Sequence, residues 1–109
     1  MSMAADEAAT IIMRAASLYH KAIEDQLNCL AENDVDFTVS YTALKNDRGH
    51  WSLKLNDPSN VNEKFVKQIL YLMRDAAYNF AAIIRSLGFN TDVKISSKKG
   101  ILIIWKKVK

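Results

Sequence analysis

The sequence predicts an α+β domain of order αββαββ, in which two long amphipathic helices pack on one face of a four-stranded antiparallel sheet. Two long segments repeat apolar residues every three or four positions, which is the spacing of one helical face. Each is followed by two short segments in which apolar and polar residues alternate, as in half-buried strands. The chain has 109 residues, half of them hydrophobic. This length suffices for one core but not for two, so residues 1–109 are expected to form a single domain.

The first half of the pattern is a helix followed by a hairpin. The helix is predicted over residues 4–31, with Asn33 as its left-handed stop, because asparagine tolerates positive φ. Apolar and polar residues then alternate over residues 35–41 and again over residues 51–55. The turn formers at residues 45–49 lie between these segments, which predicts a hairpin whose turn includes the glycine at position 49.

The second half repeats this order. Its helix is predicted to begin at a capping box of Asn60 and Glu63, although the Asp57-Pro58 pair is an equally good start. It ends near Leu87, where the following glycine can take a left-handed conformation. A second hairpin is predicted over residues 91–107, with a tight turn at its middle.

The two halves, about 1–57 and 58–109, resemble loose copies of one αββ unit. Residues 30–40 and 87–96 both run from the end of a helix, through a helix-stop residue, into an alternating strand. Each segment is followed by a turn and a strand that contains a tryptophan. The alternative is that any helix followed by a hairpin shows a similar order of helix-stop, strand and turn residues.

The distribution of charge and the cysteine content indicate which compartment and which kind of partner suit the protein. The net charge is +3, but residues 1–36 carry seven acids and two bases (−5), and residues 37–109 carry five acids and thirteen bases (+8). The single cysteine, Cys29, allows neither an intrachain disulfide nor a cysteine metal cluster, which favours a reducing compartment. We therefore expect a cytoplasmic protein without a membrane segment, since no apolar run approaches the length of a membrane span.

The last strand breaks the alternation rule. Ile101, Ile103 and Trp105 point to one face, and Leu102 and Ile104 point to the other. If the helices cover only one face, Leu102 and Ile104 need a cover from another chain, which predicts a homodimer or docking on a larger complex. The alternative is that they lie beneath a loop or a chain terminus.

Lysines concentrate near the second hairpin and suggest contact with nucleic acid, because lysines can neutralise phosphates. The candidate residues are Lys94, Lys98, Lys99, Lys106 and Lys107. Trp51 and Trp105 are the candidate stacking residues, although both fall at positions typical of a core. A solvated edge that discourages aggregation explains the same lysines.

Residue types with catalytic potential are scattered. His20 and His50 have no spacing that joins them to a metal site, and nothing local activates Cys29. All three glycines fall at turns or at a helix stop, so a phosphate-binding loop is not expected. We expect no catalytic residues, no cofactor, no metal and no small-molecule substrate.

One further surface lies on the second helix, where Tyr71, Arg74 and Tyr78 suggest a recognition face. Aromatic residues that simply cover the sheet are the alternative.

The sequence thus predicts a small non-enzymatic protein-binding or assembly protein, working as a homodimer or as a subunit or inhibitor of a larger complex. Its compact, motif-free design suits a phage or viral accessory protein. A nucleic-acid-binding module is the alternative, followed by an enzyme whose site forms between chains.

Overall fold

The computed structural model describes residues 5–57, 59 and 61–108, and its elements follow the predicted αββαββ order. The elements are α1 (Ala5–Glu32), β1 (Phe37–Lys45), β2 (Arg48–Leu55), α2 (Glu63–Ser86), β3 (Phe89–Ser96) and β4 (Gly100–Lys107). The predicted fold class is confirmed.

The four strands form one sheet of order β1-β2-β4-β3, in which every neighbouring pair is antiparallel. The two hairpins therefore lie side by side, with β2 and β4 in the centre and β1 and β3 at the edges. This order is the one that two adjacent αββ units would give. The origin of the halves by duplication stays a prediction.

Residues directly opposite each other on neighbouring strands point to the same face of a sheet. Trp51 lies opposite Ile103 and Leu53 opposite Ile101, and all four are buried. The alternate residues of β2 and β4 point the other way and are exposed or half-buried, as are Ser52 and Leu102. The helices thus cover one face, and we call the opposite, helix-free face the open face.

An aromatic cluster joins the helices to the sheet. The Tyr19 ring stacks on Phe80 with centroids 5.1 Å apart and meets Trp51 edge-on at 4.8 Å. Phe80 in turn meets Trp105 edge-on at 5.6 Å. Both tryptophans lie in the core, as their positions in the alternating pattern indicate.

Trp105 also ties three strands together. Its indole N–H crosses β2 above Gly49 and donates to the Ala43 carbonyl of β1 at 2.8 Å. A Cβ at Gly49 would overlap both the indole ring and that carbonyl. The prediction that Gly49 forms the turn is wrong, because Asn46 and Asp47 make a two-residue turn with φ of 53° and 62°, as a type I′ turn requires.

Two predicted helix boundaries are shifted. Asp34, not Asn33, takes the left-handed conformation after α1, with φ of 59°. The N-cap of α2 is Asn62, whose side-chain oxygen accepts from the Phe65 N–H at 3.2 Å. The predicted cap at Asn60 lies outside the described residues. The N-cap therefore lies two residues later than the capping box predicts.

The end of α2 is as predicted. Gly88 has φ of 95°, and its N–H donates to the Arg85 carbonyl at 3.0 Å. Phe89 returns at once into the core. The chain can thus reverse within two residues and start β3.

Candidate protein-binding surfaces

The centre of the open face is apolar. Leu102 and Ile104 of β4 are 36% and 40% exposed and lie opposite Ser52 and His50 of β2. Neither is packed beneath a loop or terminus among the described residues. The two predicted interface residues therefore form a small apolar patch in the middle of an otherwise polar face.

The polar part of the open face is ordered across strands. The Ser40 hydroxyl of β1 and the His50 Nε2 of β2 are hydrogen-bonded at 2.8 Å. His20 is exposed on α1, remote from this pair in sequence and on another element. Among the described residues there is no group of three histidine, cysteine or acidic side chains that could hold a metal ion.

Basic side chains surround the apolar patch. Arg48 and Lys106 line a groove beside Ile104, and Lys54 and Lys94 line another beside Leu102. The acidic residue that accompanies them on the strands is Asp92, whose carboxylate lies 4.0 Å from the Lys94 ammonium group. Both groups are well exposed, so this contact contributes little to stability. The open face is therefore positively charged.

The structure divides the lysines predicted to contact nucleic acid. One groove, which we call the lysine groove, is lined by Lys54, Lys94, Lys98 and Lys99. Lys106 and Lys107 lie instead toward the other end of β4. Sequence reasoning missed Lys54, because it joins the groove only through the pairing of β2 with β4.

The predicted stacking residues are not available to bases. Trp51 and Trp105 are both buried beneath the helices, on the opposite side of the sheet from the open face. The residues that line the lysine groove include no aromatic side chain. The groove thus offers charge without a surface on which bases can stack.

A second surface lies between α2 and the edge strand β3. Tyr71 and Tyr78 are 66% and 43% exposed, and the Arg74 guanidinium lies 5.9 Å and 5.6 Å from their ring centroids. These three side chains line a groove together with Val93 and Ile95 of β3. We call it the α2–β3 groove, and it brings the three predicted recognition residues together.

The hydrogen-bond pattern shows which backbone groups of β3 face outward. The Val108 N–H donates to the Gly88 carbonyl at 3.3 Å, so that pair is a hydrogen-bonded pair of the β3–β4 ladder. Such pairs alternate along antiparallel strands. Even-numbered residues of β3 therefore bond to β4, and odd-numbered residues direct N–H and C=O away from the sheet.

Side-chain contacts agree with this assignment. The Arg85 guanidinium donates to the Thr91 carbonyl at 2.9 Å and 3.3 Å, which requires that carbonyl to point outward. Val93 and Ile95 are the next outward residues, and they line the α2–β3 groove. An open strand edge thus runs along the floor of this groove.

At the other sheet edge, β1, the side chains that point to the helices are more exposed than the alternating pattern predicts. Val39 and Tyr41 of β1 lie opposite Leu53 and Trp51 and so point to the helix side, yet they are 41% and 39% exposed. Partial burial raises the pKa of Tyr41. Because β1 is an edge strand, the helices cover it less than they cover its neighbour.

Comparisons of the chain with known protein families, with curated proteins and with solved structures find no match. In the part of the chain that the structure describes, neither helix is long and apolar enough to cross a membrane. Function is therefore inferred from the surfaces described above.

Proposed function

We propose that the protein is a non-enzymatic binding protein that docks on another protein through the open face of its sheet. The observation that supports this most directly is the exposure of Leu102 and Ile104 at the centre of that face. A docked partner would remove both side chains from water, and the polar residues around them would form the rim of the contact.

Charge favours a partner with an acidic surface. Arg48, Lys54, Lys94 and Lys106 carry positive charge on this face, against Asp92. Two copies stacked through their open faces would bring like charges together, whereas an acidic partner would complement them. The open face is therefore assigned to a different protein, and binding is expected to weaken as salt increases.

The test is a pair of substitutions that keep the strand intact. In Leu102→Thr/Ile104→Thr the β-branched replacements suit a strand but remove most of the apolar patch. The wild-type protein is used to capture partners from the organism that encodes it, and the affinity for each purified partner is measured by calorimetry. We expect the double variant to bind at least about tenfold more weakly.

Leu18→Thr/Leu72→Thr is the matched control, because these leucines are more exposed than Leu102 but lie on the helices. It should bind like the wild type. Equal binding by the open-face variant, or equal losses in both variants, would contradict the proposal.

A second candidate function is binding of nucleic acid, and the lysine groove is the observation that favours it. Four lysines on one groove can neutralise several phosphates. Fluorescence anisotropy with single- and double-stranded oligonucleotides at low salt tests this function, with Lys98→Glu/Lys99→Glu as the variant. Salt-dependent binding that this variant loses would support the second function, and no binding at low salt would exclude it.

A further inference from the structure

We propose that the protein forms a homodimer in which β3 pairs antiparallel with β3 of a second copy, centred on Val93. This inference does not depend on the docking function, because the contact is made by the β3 edge and the α2–β3 groove, and only the Asp92 and Lys94 side chains project on the open face. The twofold axis would be perpendicular to the sheet. The two sheets would join into one of eight strands, with all helices on one side and both open faces on the other.

The backbone of β3 suits this pairing. Thr91, Val93 and Ile95 direct their N–H and C=O groups away from β4, as the Val108 to Gly88 hydrogen bond establishes. With Val93 on the axis, Val93 pairs with its own copy and Thr91 pairs with Ile95. The Arg85 contact with the Thr91 carbonyl can remain, because a carbonyl oxygen accepts two hydrogen bonds.

The charges on β3 select the register. With Val93 on the axis, Asp92 of each copy lies directly opposite Lys94 of the other, as a close pair without a backbone hydrogen bond between the two residues. Moving the axis by one residue places Asp92 opposite Asp92, or Lys94 opposite Lys94. Like charges in direct opposition destabilise a sheet, so the register centred on Val93 is favoured over both neighbours.

The helix beside β3 provides the side-chain contacts. The flank of α2 that carries Tyr71, Arg74 and Tyr78 lines the same groove as Val93 and Ile95. The twofold axis brings this flank against its copy, so the exposed tyrosine rings gain a partner surface. Aromatic and arginine side chains of this kind are enriched at protein interfaces.

The opposite edge lacks these features. The open-face residues of β1 are Thr38, Ser40 and Thr42, which have no charge to fix a register. A shift in register between Thr42 and Lys45 also makes the end of this edge irregular. Irregular edge strands are a common protection against edge-to-edge pairing.

Charge exchange tests the register. The dissociation constant of the dimer is measured by sedimentation equilibrium for the wild type, Asp92→Lys, Lys94→Asp and the double exchange Asp92→Lys/Lys94→Asp. Each single variant should weaken the dimer about tenfold or more, because it replaces two attractive pairs with two repulsive ones. The double exchange should recover to within about threefold of the wild type. Glu24→Lys, an equal charge change on the exposed side of α1, should have no such effect.

A proline tests the edge itself. Val93→Pro removes an N–H that points outward, so the bonds between β3 and β4 survive while pairing with a second copy is blocked. Val39→Pro makes the equivalent change on β1, since the Asn56 N–H to Asp36 carbonyl bond shows that odd-numbered residues of β1 also face outward. We expect Val93→Pro to be monomeric and Val39→Pro to remain dimeric, with circular dichroism confirming that both are folded.

Several results would overturn this inference without touching the docking proposal. They are a monomeric wild type at its highest soluble concentration, a dimer lost in Val39→Pro but kept in Val93→Pro, and a charge exchange that fails to restore association. Loss of the dimer in Leu102→Thr/Ile104→Thr would overturn both proposals, because the open face would then be the contact between copies rather than the docking site for a different protein. Weakened partner binding with the dimer intact would leave both proposals standing.

Discussion

The hydroxyl group of Tyr19 is buried and finds no hydrogen-bond partner among the residues that the structure describes. The ring itself is well packed against Phe80 and Trp51. A buried hydroxyl without a partner costs about 1–3 kcal/mol relative to water. Tyr19→Phe keeps the ring contacts and removes the oxygen. The small void that remains costs a few tenths of a kcal/mol, at about 24 cal/mol per Å³. The free energy of unfolding should therefore rise by about 1–2 kcal/mol.

Urea denaturation at pH 7, followed by tryptophan fluorescence and circular dichroism, measures this change. A gain of 1 kcal/mol corresponds to a rise in Tm of roughly 4–8 °C for a domain of this size. Tyr41→Phe is the matched control, because its side chain is partly exposed on the edge strand β1, outside the proposed dimer contact, and the change should alter the stability by no more than about 0.5 kcal/mol. If Tyr19→Phe is instead less stable by 1 kcal/mol or more, the hydroxyl must have a hydrogen-bond partner such as an internal water, and the reasoning fails.

The packing at Gly49, the N-cap of α2 and the ionisation of Tyr19 can each be tested by substitution. Gly49→Ala should destabilise the protein by about 2–5 kcal/mol, because its Cβ displaces the indole ring and breaks the hydrogen bond to β1; a loss below about 1 kcal/mol in urea titrations would contradict this. Asn62→Ala should cost about 1 kcal/mol by removing the N-cap of α2, whereas Asn62→Asp should retain most of the stability; equal losses on thermal melting would argue against the cap. Burial raises the pKa of Tyr19 well above its usual value of 10.0, so the native state keeps its proton while the unfolded chain loses it. Stability should be insensitive to this residue below pH 10 and should fall above pH 10 by about 1.4 kcal/mol per pH unit; Tyr19→Phe should flatten that decline in pH-dependent denaturation.

The element order could be predicted from the sequence because each signal was local. Helical spacing and strand alternation depend on neighbouring residues, and they identified both helices and all four strands. The same alternation placed Trp51 and Trp105 in the core and Leu102 and Ile104 on the other face. In the two central strands, burial therefore follows from the side of the strand that a residue occupies.

Other features depended on contacts between distant segments. The local pattern predicts Gly49 in the turn, although its role is set by Trp105, which lies on another strand. The exposure of Val39 and Tyr41 follows from the edge position of β1, and the membership of Lys54 in the lysine groove follows from the strand order. Neither the strand order nor an edge position is encoded in a local pattern.

The hydrogen bond from Trp105 to Ala43 joins residues 62 positions apart in the chain. It means that the first hairpin is held in part by β4, the strand of this sheet that lies furthest along the chain from it. A segment limited to the first helix and hairpin would lack both this donor and the strand that pairs with β2. Contacts at such sequence separation form only after long loops have closed. We therefore expect the first hairpin and the last strand to reach their final packing in the same late step of folding. If the two halves arose as separate units, this hydrogen bond now makes the structure of the first hairpin depend on the second.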